Sequence, residues 1–377
     1  MKTDLTPKYV MELDDTVVLW FQVSNRYTVV SKNVYRLIEV FLSADDKTTF
    51  TDQLQITLNI DEATSFKLFN EISNFLEEAN RIEDIKTTHA KIDTIPDPMI
   101  SKDYQIQGTT ITINFGSEAI LRLFHPPLEH LQVTPSNSVN TVFDIFQLDD
   151  RLHMCKNKQH VKSYSVDQYH FLQGQFAMEF TNLIHETSTD NWVASFHAST
   201  VSNGKEAIMI IGNSGNGKST LTALLMAEGF DVLADDFTPF YEDAMLYAFP
   251  AAISVKQGAF NMLSAKIKGF ENLTTYKNGT KNIPIKYVPP ISEIKGGHTK
   301  LPCRKIVSVK YAPSKPSLLE QTSAEKALET LIPDSWVSPH QDHAFRFLEW
   351  LKSVTYFQLD YSDNDYAIAE FKSLFDA

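Results

Sequence analysis

The chain has 377 residues, two cysteines and a formal net charge of −13. That length suits two or three ordinary domains, and that charge argues against a whole-protein role in coating nucleic acid or anionic membrane. Cys155 and Cys303 are too few for a disulfide framework or a cysteine zinc site, which fits a reducing compartment.

Met1 to Asp15 carries acids and polar residues where a signal peptide needs a basic start and an apolar run. No apolar run near the middle approaches the roughly 18 residues of a membrane span. The expectation is a soluble, cytoplasmic protein with no membrane partner.

Val17 to Val23 and Tyr27 to Val30, around the turn Ser24-Asn25-Arg26, read as a β-hairpin. Ser31 can cap a helix in which Val34, Leu37, Ile38, Phe41 and Leu42 share one face. Leu54 to Leu58 is a shorter apolar segment. A second amphipathic helix follows Asp61, with Leu68, Phe69, Ile72, Phe75, Leu76 and Ala79 on its stripe. A hairpin followed by three short helices makes an α+β, winged-helix-like module over residues 1–95. Its order and size resemble the PqqD-like peptide-recognition domains. That resemblance implies that the module holds the leader of a ribosomally made precursor peptide by adding it as a strand. Seven basic against thirteen acidic residues between Met1 and Asn80 oppose phosphate contacts, so no nucleic acid is expected there.

Pro96, Asp97 and Pro98 mark a linker, and a second unit spans residues 96–377. Tyr104 to Phe115 reads as one or two strands and Val142 to Phe146 as another, a small β-rich lead-in over 96–165. Helix dominates from Val166 to Ile184, and the nucleotide-binding core takes in 166–377.

Gly212-Asn213-Ser214-Gly215-Asn216-Gly217-Lys218-Ser219 matches the phosphate-binding pattern G-x-x-x-x-G-K-[ST], with Thr220 following. Its context is also right: Ala207 to Ile211 is a buried strand entering the loop, Ser219 to Glu228 a helix leaving it, and Gly229 a helix stop. Glycines let successive N–H groups turn inward around phosphate oxygens, and the helix N-terminus adds positive potential. Lys218 is placed to neutralise phosphate charge and the Ser219 hydroxyl to coordinate Mg²⁺. The expected architecture is therefore an α/β P-loop core, with ATP and Mg²⁺ as cofactors.

Asp231 to Ala234 forms the next strand and ends in Asp235-Asp236. Two adjacent acids can divide labour, one holding Mg²⁺ and the other accepting the proton of an attacking hydroxyl. Ser219 and Asp235 are the metal candidates, although the residues alone leave the division between the two acids open. His197 lies near the end of the preceding strand, in Val193 to Ala198, and alone would read as a structural histidine.

Phe196-His197-Ala198, the loop Gly212 to Ser219, Gly229 and Ala234-Asp235-Asp236 together resemble the core of HPr kinase/phosphorylase and its kinase-like relatives. The specific match runs from Ala194 to Phe237. The resemblance implies transfer of the γ-phosphoryl group of ATP to a serine hydroxyl. It also implies that His197, Asp235 and Asp236 hold metal and manage the acceptor proton beside Lys218. The downstream Glu-x-Arg-Gly-x-Gly signature of true HPr kinases is missing. Ile253-Ser254-Val255-Lys256 and Tyr287-Val288-Pro289-Pro290 resemble later segments of relatives found with peptide-modifying enzymes.

Between Lys256 and Lys305 ten basic residues face only Glu271 and Glu293, a polarised stretch. It reads either as a solvated surface or as a flap closing on phosphates, with Gly296-Gly297 as hinge and Lys256 as its nucleotide contact. His340 and His343 read as a surface loop before the helix Ala344 to Leu351, and His153, Cys155 and His160 lack zinc-ligand spacing. The sequence thus points to a kinase acting on a hydroxyl, with Ser or Thr of a leader-bound precursor peptide as first choice. A small-molecule alcohol as acceptor, or a nucleotide-driven switch without transfer, are the alternatives. Oligomeric state is open.

Overall fold

Thr16–Phe21 is buried at all six positions because it is the middle strand of an antiparallel sheet, between Tyr9–Leu13 and Arg26–Ser31, in the computed structural model. The structure describes residues 5–82, 94–106, 108–134, 141–278, 282–290 and 299–376. Side chains alternate along the strand, and here both faces are covered. Val17, Leu19 and Phe21 pack under Ile38, Phe41, Phe50, Leu54, Ile72 and Leu76. Val18 and Trp20 face the other way and join a core with Phe347, Leu348 and Trp350 from the helix Gln341–Lys352.

The first helix is Lys32–Ser43, capped by the Ser31 hydroxyl, which accepts from Val34 N at 3.4 Å. The Leu54 to Leu58 segment is the end of a full helix, Lys47–Leu58, and Asp61 caps the third, Glu62–Ala79. The strand Tyr9–Leu13 was not expected from the sequence. It is an edge strand with alternating exposure, and Glu12 interrupts its apolar pattern.

The lead-in segment forms a six-stranded sheet. Ile100–Ile106 and Thr109–Phe115 resolve the Tyr104 to Phe115 expectation into two strands, and Thr141–Leu148, Arg151–Lys156 and Gln159–Ser165 complete one side. The helix Tyr169–Ile184 lies on this sheet, burying Leu172, Phe176 and Phe180 against Ile111, Phe143 and Met154.

A ten-stranded sheet among the described residues carries the Gly212 to Ser219 loop. Its long strand Lys300–Tyr311 pairs parallel with Ala207–Ile211 on one side and with Thr355–Tyr361 on the other. The all-buried run of Ala207–Ile211 follows from that central position. Asp231–Ala234 lies at the sheet end beside Ser199–Ser202. No helix among the described residues is long and apolar enough to cross a membrane.

Two sequence expectations are corrected. His343 is buried inside the helix Gln341–Lys352, its Nδ1 2.9 Å from the Ser338 hydroxyl, because the helix starts three residues earlier than its apolar pattern suggests. The basic stretch does not act as one surface. Lys286 is buried and donates to the carbonyls of Phe270, Glu271 and Leu273, while Lys266, Lys300 and Lys305 pair with acids. Lys281, Lys295 and the Gly296-Gly297 hinge lie outside the described residues.

Candidate active site

The chain leaves the strand Ala207–Ile211 and turns through the loop into the helix Lys218–Ala227. Two glycines are required by space as well as by backbone angle. Gly212 has φ of 150° and a Cβ there would lie 2.7 Å from the Val309 carbonyl oxygen, while Gly217 has φ of 95° and a Cβ would lie 2.8 Å from the Tyr361 hydroxyl. Lys218 Nζ donates to the Gly212 carbonyl at 2.6 Å, closing the loop on itself. Burial lowers the Lys218 pKa, opposed by the charges of Asp236, Asp235 and Asp334. An ammonium has three donors, so two remain for an anion in the loop.

The two acids after Ala234 occupy different environments. Asp236 takes φ of 62°, a left-handed turn that sends neighbouring side chains apart. Asp235 points inward and is buried. Its Oδ1 accepts from the Ser199 hydroxyl at 2.5 Å, its Oδ2 accepts from Ser254 N at 3.1 Å, and it is hydrogen bonded to the Ser219 side chain. Burial, and then the adjacent Asp236, push its carboxyl well above the usual carboxylate range. Asp236 stays half exposed, accepting from the Ser254 hydroxyl at 3.0 Å, with His197 Nε2 4.0 Å from its Oδ1. His197 sits in the turn between Trp192–Phe196 and Ser199–Ser202.

His197, Lys218, Ser219, Asp235, Asp236 and Ser254 open into one cleft of about 1780 Å³. Of the residues expected from the sequence, His197, Asn213, Ser214, Gly215, Lys218, Ser219, Thr220, Asp235, Asp236 and Lys256 line it, as does Gly217. Gly212 and Asn216 do not line it and instead shape the loop: the Asn216 carbonyl accepts from Tyr311 N at 2.9 Å. Ser199 and Tyr287 were not anticipated. Nothing local marks Ser199; its role follows from the pairing of its strand with Asp231–Ala234. Tyr287 lines the cleft near the acid pair, and its phenol is pushed up to about 12 by burial and by Asp236 and Asp235.

The His153, Cys155 and His160 group is a strand-to-strand contact, with both imidazoles on the Ser163 hydroxyl at 2.6 and 2.7 Å. Among the described residues no group of three or more His, Cys, Asp or Glu side chains is arranged to hold a metal ion by itself.

No protein-family model matches the sequence, and no curated protein matches it. Among solved structures the chain is similar to the HPr(Ser) kinase/phosphatase from Coxiella burnetii, at 11% identity, with 48% of this chain and 88% of that chain covered and a TM-score of 0.24.

Proposed function

We propose that the protein is an ATP- and Mg²⁺-dependent kinase acting on a hydroxyl, namely a Ser or Thr of a ribosomally made precursor peptide bound by the N-terminal module. The observation that carries this reading is the unequal acid pair beside a phosphate loop: one carboxylate buried on the Ser219 hydroxyl, the other exposed in the cleft.

The residues fit the two cofactors. Lys218 lines the cleft with two ammonium donors to spare for phosphate oxygens, and a hydroxyl beside a carboxylate is an oxygen donor set of the kind Mg²⁺ takes. ATP would supply the γ-phosphoryl group and Mg²⁺ the neutralisation of its charge. Lys218 and the loop amides bind phosphate oxygens. Ser219 and Asp235 hold the metal, with Ser199 and the Ser254 amide fixing the carboxylate's orientation.

Asp236 accepts the proton of the acceptor hydroxyl, and His197 lies beside it, its Nε2 4.0 Å from Asp236 Oδ1. Lys256, at the end of the strand Ile253–Lys256, reaches the same cleft as a second phosphate contact. A leader peptide would add to an edge of the N-terminal sheet, supplying recognition apart from chemistry.

The test is transfer of labelled γ-phosphate from Mg-ATP into a peptide fraction of the source cell, read by mass spectrometry. Label on one Ser or Thr, lost in Lys218→Ala and His197→Ala, is the expected result. Label on a small alcohol would move the acceptor class, and bound nucleotide with no labelled product would leave a nucleotide-driven switch.

A further inference from the structure

Beyond the acid pair the cleft runs along the helix Tyr169–Ile184. Phe171, Gly174, Gln175 and Met178 line it, and their spacing of three, four and seven places them on one helical face. Phe171 is 41% exposed, and Trp336, another lining residue, is 39% exposed. These are large apolar surfaces left open in a cleft, and the half-buried Phe237 continues the apolar lining toward Asp236.

Gly174 is the informative residue. Glycine in the interior of a helix weakens it relative to alanine. Among the described residues a Cβ at 174 would meet nothing within 4 Å, so a larger side chain there would enter the open cleft.

The size and polarity of the space narrow the occupant. Small-ligand sites run to roughly 300–1000 Å³, so a cleft of about 1780 Å³ has room for a nucleotide and a second molecule of similar size. Charges among the lining residues away from the acid pair are few and mixed, Lys162 against Asp334, which disfavours a strongly charged acceptor. Gln173, Gln175 and Ser195 supply amide and hydroxyl groups of the kind that meet peptide backbone.

We propose that this end of the cleft is an acceptor subsite for a peptide segment whose Ser or Thr is flanked by aromatic or branched aliphatic residues, laid across Phe171 and Gly174. It rests on the kinase reading only for the fate of the hydroxyl. Binding of the segment stands separately.

The experiment measures fluorescence anisotropy of labelled nonapeptide pools with a central Ser, flanked by aromatic and aliphatic, acidic, or basic residues, with Mg²⁺ and AMP-PNP present. The apolar pool should bind at least about tenfold more tightly than either charged pool. Gly174→Leu, whose side chain enters open space, should weaken that binding at least about tenfold while leaving mant-ATP affinity unchanged. Gly174→Ala should raise the Tm, confirming that the position is not held by packing. Equal binding of the three pools, or unchanged peptide affinity in Gly174→Leu, overturns the proposal, as does phosphorylation of a small alcohol with every pool unbound. Binding of the apolar pool with AMP-PNP, but no phosphoryl transfer to it when ATP replaces the analogue, would uphold the subsite and reject the peptide-kinase reading.

Discussion

The phosphate end of the cleft and the seam beneath the N-terminal sheet are both buried, and they are built from opposite materials. Around the loop the buried groups are ionisable: Lys218 on a backbone carbonyl, and Asp235 among two serine hydroxyls and an amide. At the seam they are rings. Tyr27 meets Phe347 edge-on at 5.2 Å, and Phe196 stacks on Trp350 at 5.4 Å, with Asn25 Nδ2 donating to the Val337 carbonyl at 2.7 Å. Buried charge costs stability even when bonded, whereas ring burial supplies it. Substitutions at the two places should therefore divide activity from stability.

The largest effect is expected at the acid pair. Asp236→Asn should lower phosphoryl transfer by about 10² to 10⁴-fold with little change in Tm, since the side chain is half exposed. Asp235→Asn should also lower transfer, yet raise the Tm of the metal-free protein. Its carbonyl can accept from Ser254 N while its amide donates to the Ser199 and Ser219 oxygens, and the buried charge is gone. Transfer assays beside thermal melts decide this, and full activity in both variants would end the mechanism proposed for the pair.

The seam should respond in the other sense. Phe347→Ala removes a fully buried ring that touches Tyr27, Phe196 and Trp350, and should cost about 3–5 kcal/mol in urea unfolding. Mant-ATP affinity of the variant that remains folded should match wild type. A loss of nucleotide affinity with no loss of stability would erase the distinction between the regions. Because the sheet's inner face and this helix share a core, removing residues 1–80 would uncover it, and a deletion would report on folding before it reported on peptide recognition.

Much of the phosphate end was legible because its signals are local. The loop pattern, the strand before it and Asp235-Asp236 lie within one short stretch of chain, and residue type alone dictates their chemistry. The partners of Asp235 were not legible. Ser199 and Ser254 reach it only through strand pairing and a later return of the chain. Helix Lys47–Leu58 was seen in part because its buried positions, Phe50, Thr51 and Leu54, are sparse among exposed polar residues. A run of lysines looked like one field because position along the chain was the only coordinate available. In space Lys286 pins a turn and its neighbours pair with acids.

Acid should sharpen the comparison through the histidines, which lie mostly outside the reacting groups. His130 is held at about 4, below its ordinary 6.5, chiefly by burial. Burial likewise lowers His125, His153, His185 and His343. Below pH 6.5 the unfolded chain takes up protons that folded His130 refuses until about 4, so stability is full above 6.5 and falls as pH drops through that window. The His130 share is about 2–3 kcal/mol. Protonation of buried Asp235 works in the other sense over the same window, so the readout is a difference: between pH 7.5 and 4.5 the urea midpoint of His130→Gln, which keeps a donor for the Pro250 carbonyl, should rise relative to wild type as pH falls. An identical slope in the variant would remove His130 from the account.

The smallest effect tests the seam from within. Tyr27 is a ring in an aromatic cluster, 8% exposed, and its hydroxyl is buried with no hydrogen-bond partner among the described residues. Burial raises its pKa well above the ordinary tyrosine value, so the group is neutral and serves no ionic purpose. An unsatisfied hydroxyl loses its hydration without return, while the ring keeps every apolar contact if the oxygen is removed. Tyr27→Phe should then stabilise the protein by about 1 kcal/mol in urea unfolding, with phosphoryl transfer unchanged. Destabilisation instead would mean that the hydroxyl meets a bound water or a residue beyond those described, and the seam would then hold a polar contact of the kind that marks the cleft.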